Sequence, residues 1–197
     1  NHIKNFYIFA RNADDIADHS KFPVNKKYDL LKELEDLIKK NEKSQYLFMN
    51  NLLKTIHETG VSANYPLNLL KAFKQDVEKK RYNNWHDLID YCNKSASPVG
   101  RFVIDLHYLC SDSNLKDKEK VYNGSDNLCN SLQILNHIQD CKRDFVELDR
   151  VYIPEDYFSE YGFSSNLILE KLKFLLINLE LILTKIIIKK MEYYHKF

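Results

Sequence analysis

Glycine and proline are scarce in this chain, with four of each among 197 residues. No glycine-rich phosphate loop and no dinucleotide-binding glycine pattern is present, which removes nucleotide binding by either device. No stretch alternates apolar and polar residues with a period of two, which removes an extensive sheet. The four cysteines, Cys92, Cys110, Cys129 and Cys141, form no Cys-x-x-Cys pair, and the seven histidines add no metal-finger spacing. The cysteines are expected to be small packing residues in a reducing cytoplasm. An excess of charge of one sign is missing too. With 29 basic and 28 acidic residues the net charge is +1, so there is no electrostatic case for nucleic acid or for an anionic membrane. No secretory leader pattern is seen. The most apolar stretch, Leu172 to Ile188, is interrupted by Lys173, Asn178, Glu180 and Lys185. It reads as a long buried helix rather than a membrane span.

What is present is helix. Hydrophobic residues make up 44% of the chain and aromatics 13%, enough for one well-packed domain over 1–197. Segment 2–19 sets Phe6, Phe9, Ala10, Ala13, Ile16 and Ala17 on one arc. Asp29 is expected to cap a helix over about 30–40, with Leu30, Leu31, Leu34, Leu37 and Ile38 at core spacing. Helices follow over 44–58 and 66–81, punctuated around Gly60 and Pro66. Asn84 caps another over about 85–95. Ser95 to Gly100 is a break or kink, and helix resumes to about Leu109. Residues 113–124 are polar and read as a loop with a short helix. Ser125 opens a helix of about twenty residues, Pro154 follows a short extended piece, and 164–195 is the last helix. The fold class is all-α.

Two acidic pairs share one spacing. Asp14 and Asp18 stand at i and i+4, and so do Asp140 and Asp144. Like charges one helical turn apart repel by roughly 0.2–0.5 kcal/mol. Two such pairs, each inside an apolar helical segment, point to a cation held between carboxylates. Tyr7, Arg11, Asp14 and Asp18 occupy adjoining positions of one face. On the second helix Cys129, Gln133, Asn136, His137, Asp140 and Asp144 form a stripe within about 80°, with no Lys or Arg in it. By the same geometry Lys142 and Arg143 point elsewhere. An exposed acidic patch is the plain alternative for each motif. Paired carboxylates suit Mg²⁺, which takes one or two of them plus phosphate oxygens and water. Two pairs facing each other across a helical bundle would clamp a diphosphate through Mg²⁺ and assist C–O cleavage.

The segment from Tyr7 through Arg11 and Asp14-Asp15 to Asp18 resembles the first Asp-rich motif of the squalene/phytoene synthase family. Gln133-x-x-Asn136-x-x-Gln139-Asp140-x-x-x-Asp144 resembles the second, and Arg150-Val151-Tyr152-Ile153-Pro154 the Arg-x-Tyr-x-Pro that follows it. Asp76 to Arg101 is similar to the central block. Phe9-Ala10-Arg11, Ser95 to Arg101, and Gln139 before Asp140 are most similar to the hydroxysqualene synthase branch of bacterial hopanoid pathways. The wider family usually has Arg at the Gln139 position.

The resemblance implies an isoprenoid synthase-type helical bundle with a central apolar cavity, Mg²⁺ as cofactor, and prenyl diphosphate substrates. The expected reaction converts presqualene diphosphate to hydroxysqualene with release of diphosphate, without NADPH. A close alternative is head-to-head prenyl condensation giving presqualene diphosphate or phytoene. An alternative of another class is a non-catalytic helical assembly factor. The expected metal ligands are Asp14, Asp18, Asp140 and Asp144. Arg11, Arg81, Gln133, Asn136 and Arg150 are expected to bind substrate. Tyr7, Arg11, Tyr91 and Asn136 are the candidate catalytic residues, with the Tyr7 ring near the carbocation. Gln133 and Asn136 suit hydrogen bonds to the aspartates or to water. Arg81 has a second reading as a partner of Asp76. His137 has two readings, a base or a partly buried helix histidine. Pro98 is expected to kink its helix, and Gly100 to allow close approach by substrate or backbone, leaving a dent for an apolar tail. Family lengths imply a fragment short of N-terminal and C-terminal helices, unstable or inactive on its own. A cytoplasmic enzyme, with contact at the inner membrane surface and partner enzymes of squalene synthesis, completes the expectation.

Overall fold

The computed structural model describes residues 1–110, 117–160, 162, 164, 165 and 167, which include eight helices and no strand. The helix expected over 164–195, including Leu172 to Ile188, and the start of the polar stretch from 113 lie largely outside these residues. Among the described residues no helix is long and apolar enough to cross a membrane. The chain divides into two compact units, Asn1–Lys79 with Asp90–Asn130, and Lys80–Ile89 with Ser131–Phe197.

The first unit is built around α1 (His2–Asp18), α2 (Val24–Lys40), α3 (Leu47–Thr59), α4 (Asn64–Glu78) and α6 (Ser97–Leu109). The apolar arc of α1 behaves as its spacing requires. Phe6, Phe9, Ala13 and Ala17 are buried, and Ala10 and Ile16 pack against them at its margins. Leu31, Leu34 and Ile38 of α2, Met49 and Leu52 of α3, and Leu69, Leu70 and Phe73 of α4 close the core. Phe102 of α6 stacks on Phe6 at 3.9 Å and makes a T-shaped contact with Tyr65. Each buried aliphatic or aromatic side chain contributes roughly 1.5–3 kcal/mol.

Helix α2 starts earlier than its sequence suggests. It begins at Val24, after Pro23, and Asp29 is an exposed interior position rather than a cap. Pro23 supplies a preset φ of −66°, its carbonyl accepts from the Lys27 N–H at 3.1 Å, and the Lys27 ammonium caps the Ala17 carbonyl of α1 at 2.7 Å. The first turn is thus stabilised by contacts from outside the helix. Asn41 at φ 53° and Gly60 at φ 71° stop α2 and α3 in the left-handed conformation.

Helix α5 (Trp85–Ser95) ends one residue before α6, and Pro98 lies in the first turn of α6, where its missing N–H costs nothing. The expected break is therefore a junction of two helices. Asn84 does cap α5, its Oδ1 accepting from the Asp87 N–H at 3.0 Å. Helix α7 (Lys118–Leu148) is 31 residues long and starts seven residues before Ser125. The side chains of its early turns explain this. Tyr122 donates to the carboxylate of Asp105 on α6, and Lys118 pairs with that carboxylate at 3.4 Å. Arg101 holds Asp126 by a two-pronged ion pair. These bonds outweigh the poor helix propensity of Asn123-Gly124-Ser125. Gly100 is approached by this helix, not by open space: a Cβ there would lie 2.7 Å from the Cys129 Sγ and nearer still to the Ser125 hydroxyl. The dent expected at Gly100 is filled by α7.

In the second unit the described chain after α7 is clamped to residues 80–83. Arg81 and Val151 form an isolated parallel bridge, the Val151 N–H donates to the Lys80 carbonyl at 2.9 Å, and the Glu155 N–H donates to the Tyr82 carbonyl at 2.8 Å. Pro154 then opens α8 (Glu155–Glu160). Tyr82, fully buried, stacks on Tyr152, and Trp85 meets Tyr157 edge-on.

Candidate active site

On α1 the first motif lies on the face that the core leaves uncovered. Tyr7 is exposed, Asp14 and Asp18 are half-buried and Asp15 is exposed. The Arg11 guanidinium lies 3.3 Å from an Asp14 oxygen and 2.8 Å from an Asp15 oxygen. Arg11 is therefore held at the motif, as one helical turn of separation allows. Tyr91 is buried and donates to Asp76 Oδ2 at 2.7 Å. Asp76 is itself buried, so this bond ties α5 to α4 and engages the hydroxyl that the sequence offers for catalysis.

On α7 the polar stripe is not uniform. His137 and Asp144 are buried, Gln133 and Asp140 are half-buried, and Asn136 is exposed. The expectation that Arg143 points away is corrected. Its Nη2 lies 2.8 Å from Asp140 Oδ2 and 3.4 Å from Asp144 Oδ1. A helical-wheel angle locates the Cβ, whereas a guanidinium on a long flexible stem reaches the neighbouring face. The i, i+3 relation of Asp140 to Arg143 was the available signal.

His137 lies against Tyr152, and burial together with the nearby Arg150 guanidinium lowers its pKa to about 3. So buried and so weakly basic an imidazole is a poor proton acceptor, which favours the buried-histidine reading over the base. Arg150 is buried, donates from Nη1 to the Tyr152 hydroxyl at 3.1 Å, and bonds through its backbone N–H to the Asp144 carbonyl. That backbone bond places Arg150 beside the second motif. Arg81 reaches Asp149, with Nη2 2.7 Å from the carboxylate and a second bond to the carbonyl, and lies 4.0 Å from Glu155. Its guanidinium also lies over the Phe145 ring.

The structure thus gathers Tyr7, Arg11, Asp14 and Asp18 on α1. It gathers Gln133, Asn136, Asp140 and Asp144 on α7, with Arg150 at its end. The donor set is all oxygen, which fits Mg²⁺ and not a soft metal. Among the described residues no group of three or more His, Cys, Asp or Glu is arranged to hold a metal ion by itself. Carboxylate pairs of this kind suit an ion that takes its remaining ligands from phosphate and water. Sequence reasoning missed a hydrogen-bonded trio, in which buried Ser97 donates to the side-chain oxygen of buried Asn130 at 2.9 Å and the Asn130 amide donates to exposed Asn93 at 2.9 Å. Their 33- and 37-residue separations leave no local signal.

The family model for squalene/phytoene synthase matches residues 1–178. A hydroxysqualene synthase of Sinorhizobium fredii is 43% identical over 160 residues, covering 81% of this chain and 51% of that protein. A second, of Rhodopseudomonas palustris, is 40% identical over 158 residues, covering 80% and 51%. The crystal structure of squalene synthase HpnC from Alicyclobacillus acidocaldarius superposes with a TM-score of 0.70 at 30% identity, over 86% of this chain and 61% of that one. The chain spans about half the length of the curated relatives it matches. With the family model matched across most of its residues, this chain belongs to the squalene/phytoene synthase family.

Proposed function

We propose that this chain carries the diphosphate-handling part of a Mg²⁺-dependent prenyl diphosphate enzyme that converts presqualene diphosphate to hydroxysqualene. The observation that carries the reading is the pairing of half-buried or buried aspartates one turn apart on two helices, each with an arginine at its edge. Two relatives named hydroxysqualene synthase, at 43% and 40% identity, support the choice of reaction.

Asp14 and Asp18, with Asp140 and Asp144, would hold Mg²⁺, which when bound draws charge from the diphosphate and makes it a better leaving group. Arg11 and Arg150 orient that group, and Arg81 contributes charge near the end of α7. As the C–O bond breaks, both its electrons leave with the diphosphate and a cyclopropylcarbinyl cation remains, which rearranges with opening of its three-membered ring before water adds. The ring face of Tyr7 is suited to steady positive charge. Gln133 and Asn136 stay neutral and can hold the water whose oxygen closes the cation, its proton passing to solvent or to the released diphosphate. Apolar tails supply most of the binding, at roughly 0.8 kcal/mol per buried CH₂. A cytoplasmic enzyme at the inner membrane surface, alongside the enzymes that make its substrate, suits so greasy a molecule.

The name squalene synthase on the solved relative favours a second reading, head-to-head condensation of two prenyl diphosphates. The retained aspartates argue against a non-catalytic assembly factor. The test is incubation of the full-length protein and Mg²⁺ with presqualene diphosphate or farnesyl diphosphate, followed by mass spectrometry of the products. Hydroxysqualene from presqualene diphosphate is expected. A product from farnesyl diphosphate alone, with no turnover of presqualene diphosphate, selects the second reading. Undiminished turnover in Asp140→Ala would sink both.

A further inference from the structure

Arg143 has no part in the mechanism above, yet its guanidinium lies directly against the second acidic pair. One nitrogen of its guanidinium is within 4 Å of both Asp140 and Asp144. Its side chain is 59% exposed, against 28% for Asp140 and 10% for Asp144, so the guanidinium covers the pair from the solvent side. All three residues belong to one helix. The guanidinium can therefore leave or return by side-chain torsions alone, with no movement of the backbone. Arg11 repeats the device on α1 with Asp14 and Asp15.

A guanidinium and a divalent cation want the same carboxylate lone pairs, and their like charges keep them from sharing the site. We infer that Arg143 is the resident counterion of Asp140 and Asp144, that a divalent cation displaces it, and that the freed guanidinium then binds the diphosphate arriving with that cation. The inference rests on the reading that this pair holds the metal. It gives the metal-free site a physical reason to be stable, since the arginine relieves the repulsion of two aspartates one turn apart. It also couples metal to substrate. Cation alone must break an ion pair, whereas cation with diphosphate offers the planar, many-donor guanidinium a new set of anionic oxygens.

The test measures Mn²⁺ binding to the full-length protein by the loss of the free-ion electron paramagnetic resonance signal, with and without inorganic diphosphate. Without diphosphate, Arg143→Gln is expected to bind Mn²⁺ about two- to fivefold more tightly than the parent, a modest factor because the pair is half open to water. With diphosphate present the order reverses, and the parent binds the metal–diphosphate pair more tightly. Arg143→Lys keeps the charge without the fork and falls between. Asp140→Asn weakens Mn²⁺ binding in either background. If Arg143→Gln and Arg143→Lys match the parent while Asp140→Asn binds weakly, the counterion role is wrong and the metal site stands. If Asp140→Asn is also without effect, the metal reading fails and takes the inference with it.

Discussion

The imidazole of His137 lies flat on the ring of Tyr152, with centroids 3.6 Å apart and planes 17° apart. Tyr152 in turn stacks on Tyr82 at 5.3 Å. The pile joins α7 to the strand-like segment that follows it and holds Arg150 beside the end of the helix. An aromatic pair such as Tyr82 and Tyr152 adds about 0.5–1.5 kcal/mol beyond area burial.

The same contact predicts a pH dependence. Desolvation, reinforced by Arg150, lowers the His137 pKa to about 3 from an ordinary value near 6.5. Between these values the unfolded chain binds a proton that the folded chain refuses, so stability rises with pH. The contribution is complete above about pH 6.5 and declines as pH falls toward 3, by at most about 1.4 kcal/mol per pH unit. Urea unfolding at a series of pH values should show this slope, and His137→Phe should flatten it. An unchanged slope would place the titrating group elsewhere.

Asp105 should control where α7 begins. It accepts from Tyr65 at 2.5 Å and from Tyr122, and it pairs with Lys118. Burial opposes its ionisation, but the Tyr122 and Tyr65 hydroxyls and Lys118 outweigh this and hold its pKa below the ordinary 3.8. Its stabilisation is therefore present above that value and lost as pH falls through the lower native one. Asp105→Ala should cost about 1–3 kcal/mol, because the Tyr65 hydroxyl loses its acceptor. Amide exchange over residues 118–124 should accelerate more than over α1.

Arg11 separates binding from structure. Its side chain is 60% exposed, so Arg11→Gln should change the unfolding free energy by no more than about 0.5 kcal/mol. If Arg11 orients the diphosphate, KM for the prenyl substrate should rise about tenfold, the loss of a charge-assisted bond. An unchanged KM would reduce Arg11 to a neutraliser of the acidic face.

Thiol reactivity offers an independent check of the packing. Cys110 is exposed, whereas burial raises the Cys92 and Cys141 thiols to about 12, with Asp144 adding to the effect at Cys141. In the native protein at pH 8, N-ethylmaleimide should label Cys110 first and Cys129 more slowly. Cys92 and Cys141 should react only after denaturant is added. Rapid labelling of Cys141 without denaturant would mean that this face of α7 is open to solvent rather than packed.

Much of the fold is legible in the sequence because it is local. The α1 arc and the Asp spacing follow from a period of 3.6 residues, the Asn84 cap from a side-chain oxygen three residues before a first-turn N–H, and the buried faces of α1 and α2 are those the spacing marks. The differences arise where a distant partner decides. The start of α2 at Val24 depends on Lys27 reaching Ala17, and the start of α7 on Asp105. The helical angle of Arg143 turns its Cβ from the acidic pair, although its side chain is long enough to bridge Asp140 and Asp144.

The order of helices among the described residues, the one-turn pairing of aspartates and the family were determined by the sequence alone, since each depends on residues a few positions apart and on backbone geometry common to all helices. The tertiary structure decided which of those polar residues are wet, neutral or paired. His137 is uncharged because Tyr152 and its surroundings exclude water, and the Tyr91 hydroxyl is bound because Asp76 is buried beside it. Solvation and pairing are set by neighbours that only folding brings together, and no periodicity in the chain encodes them.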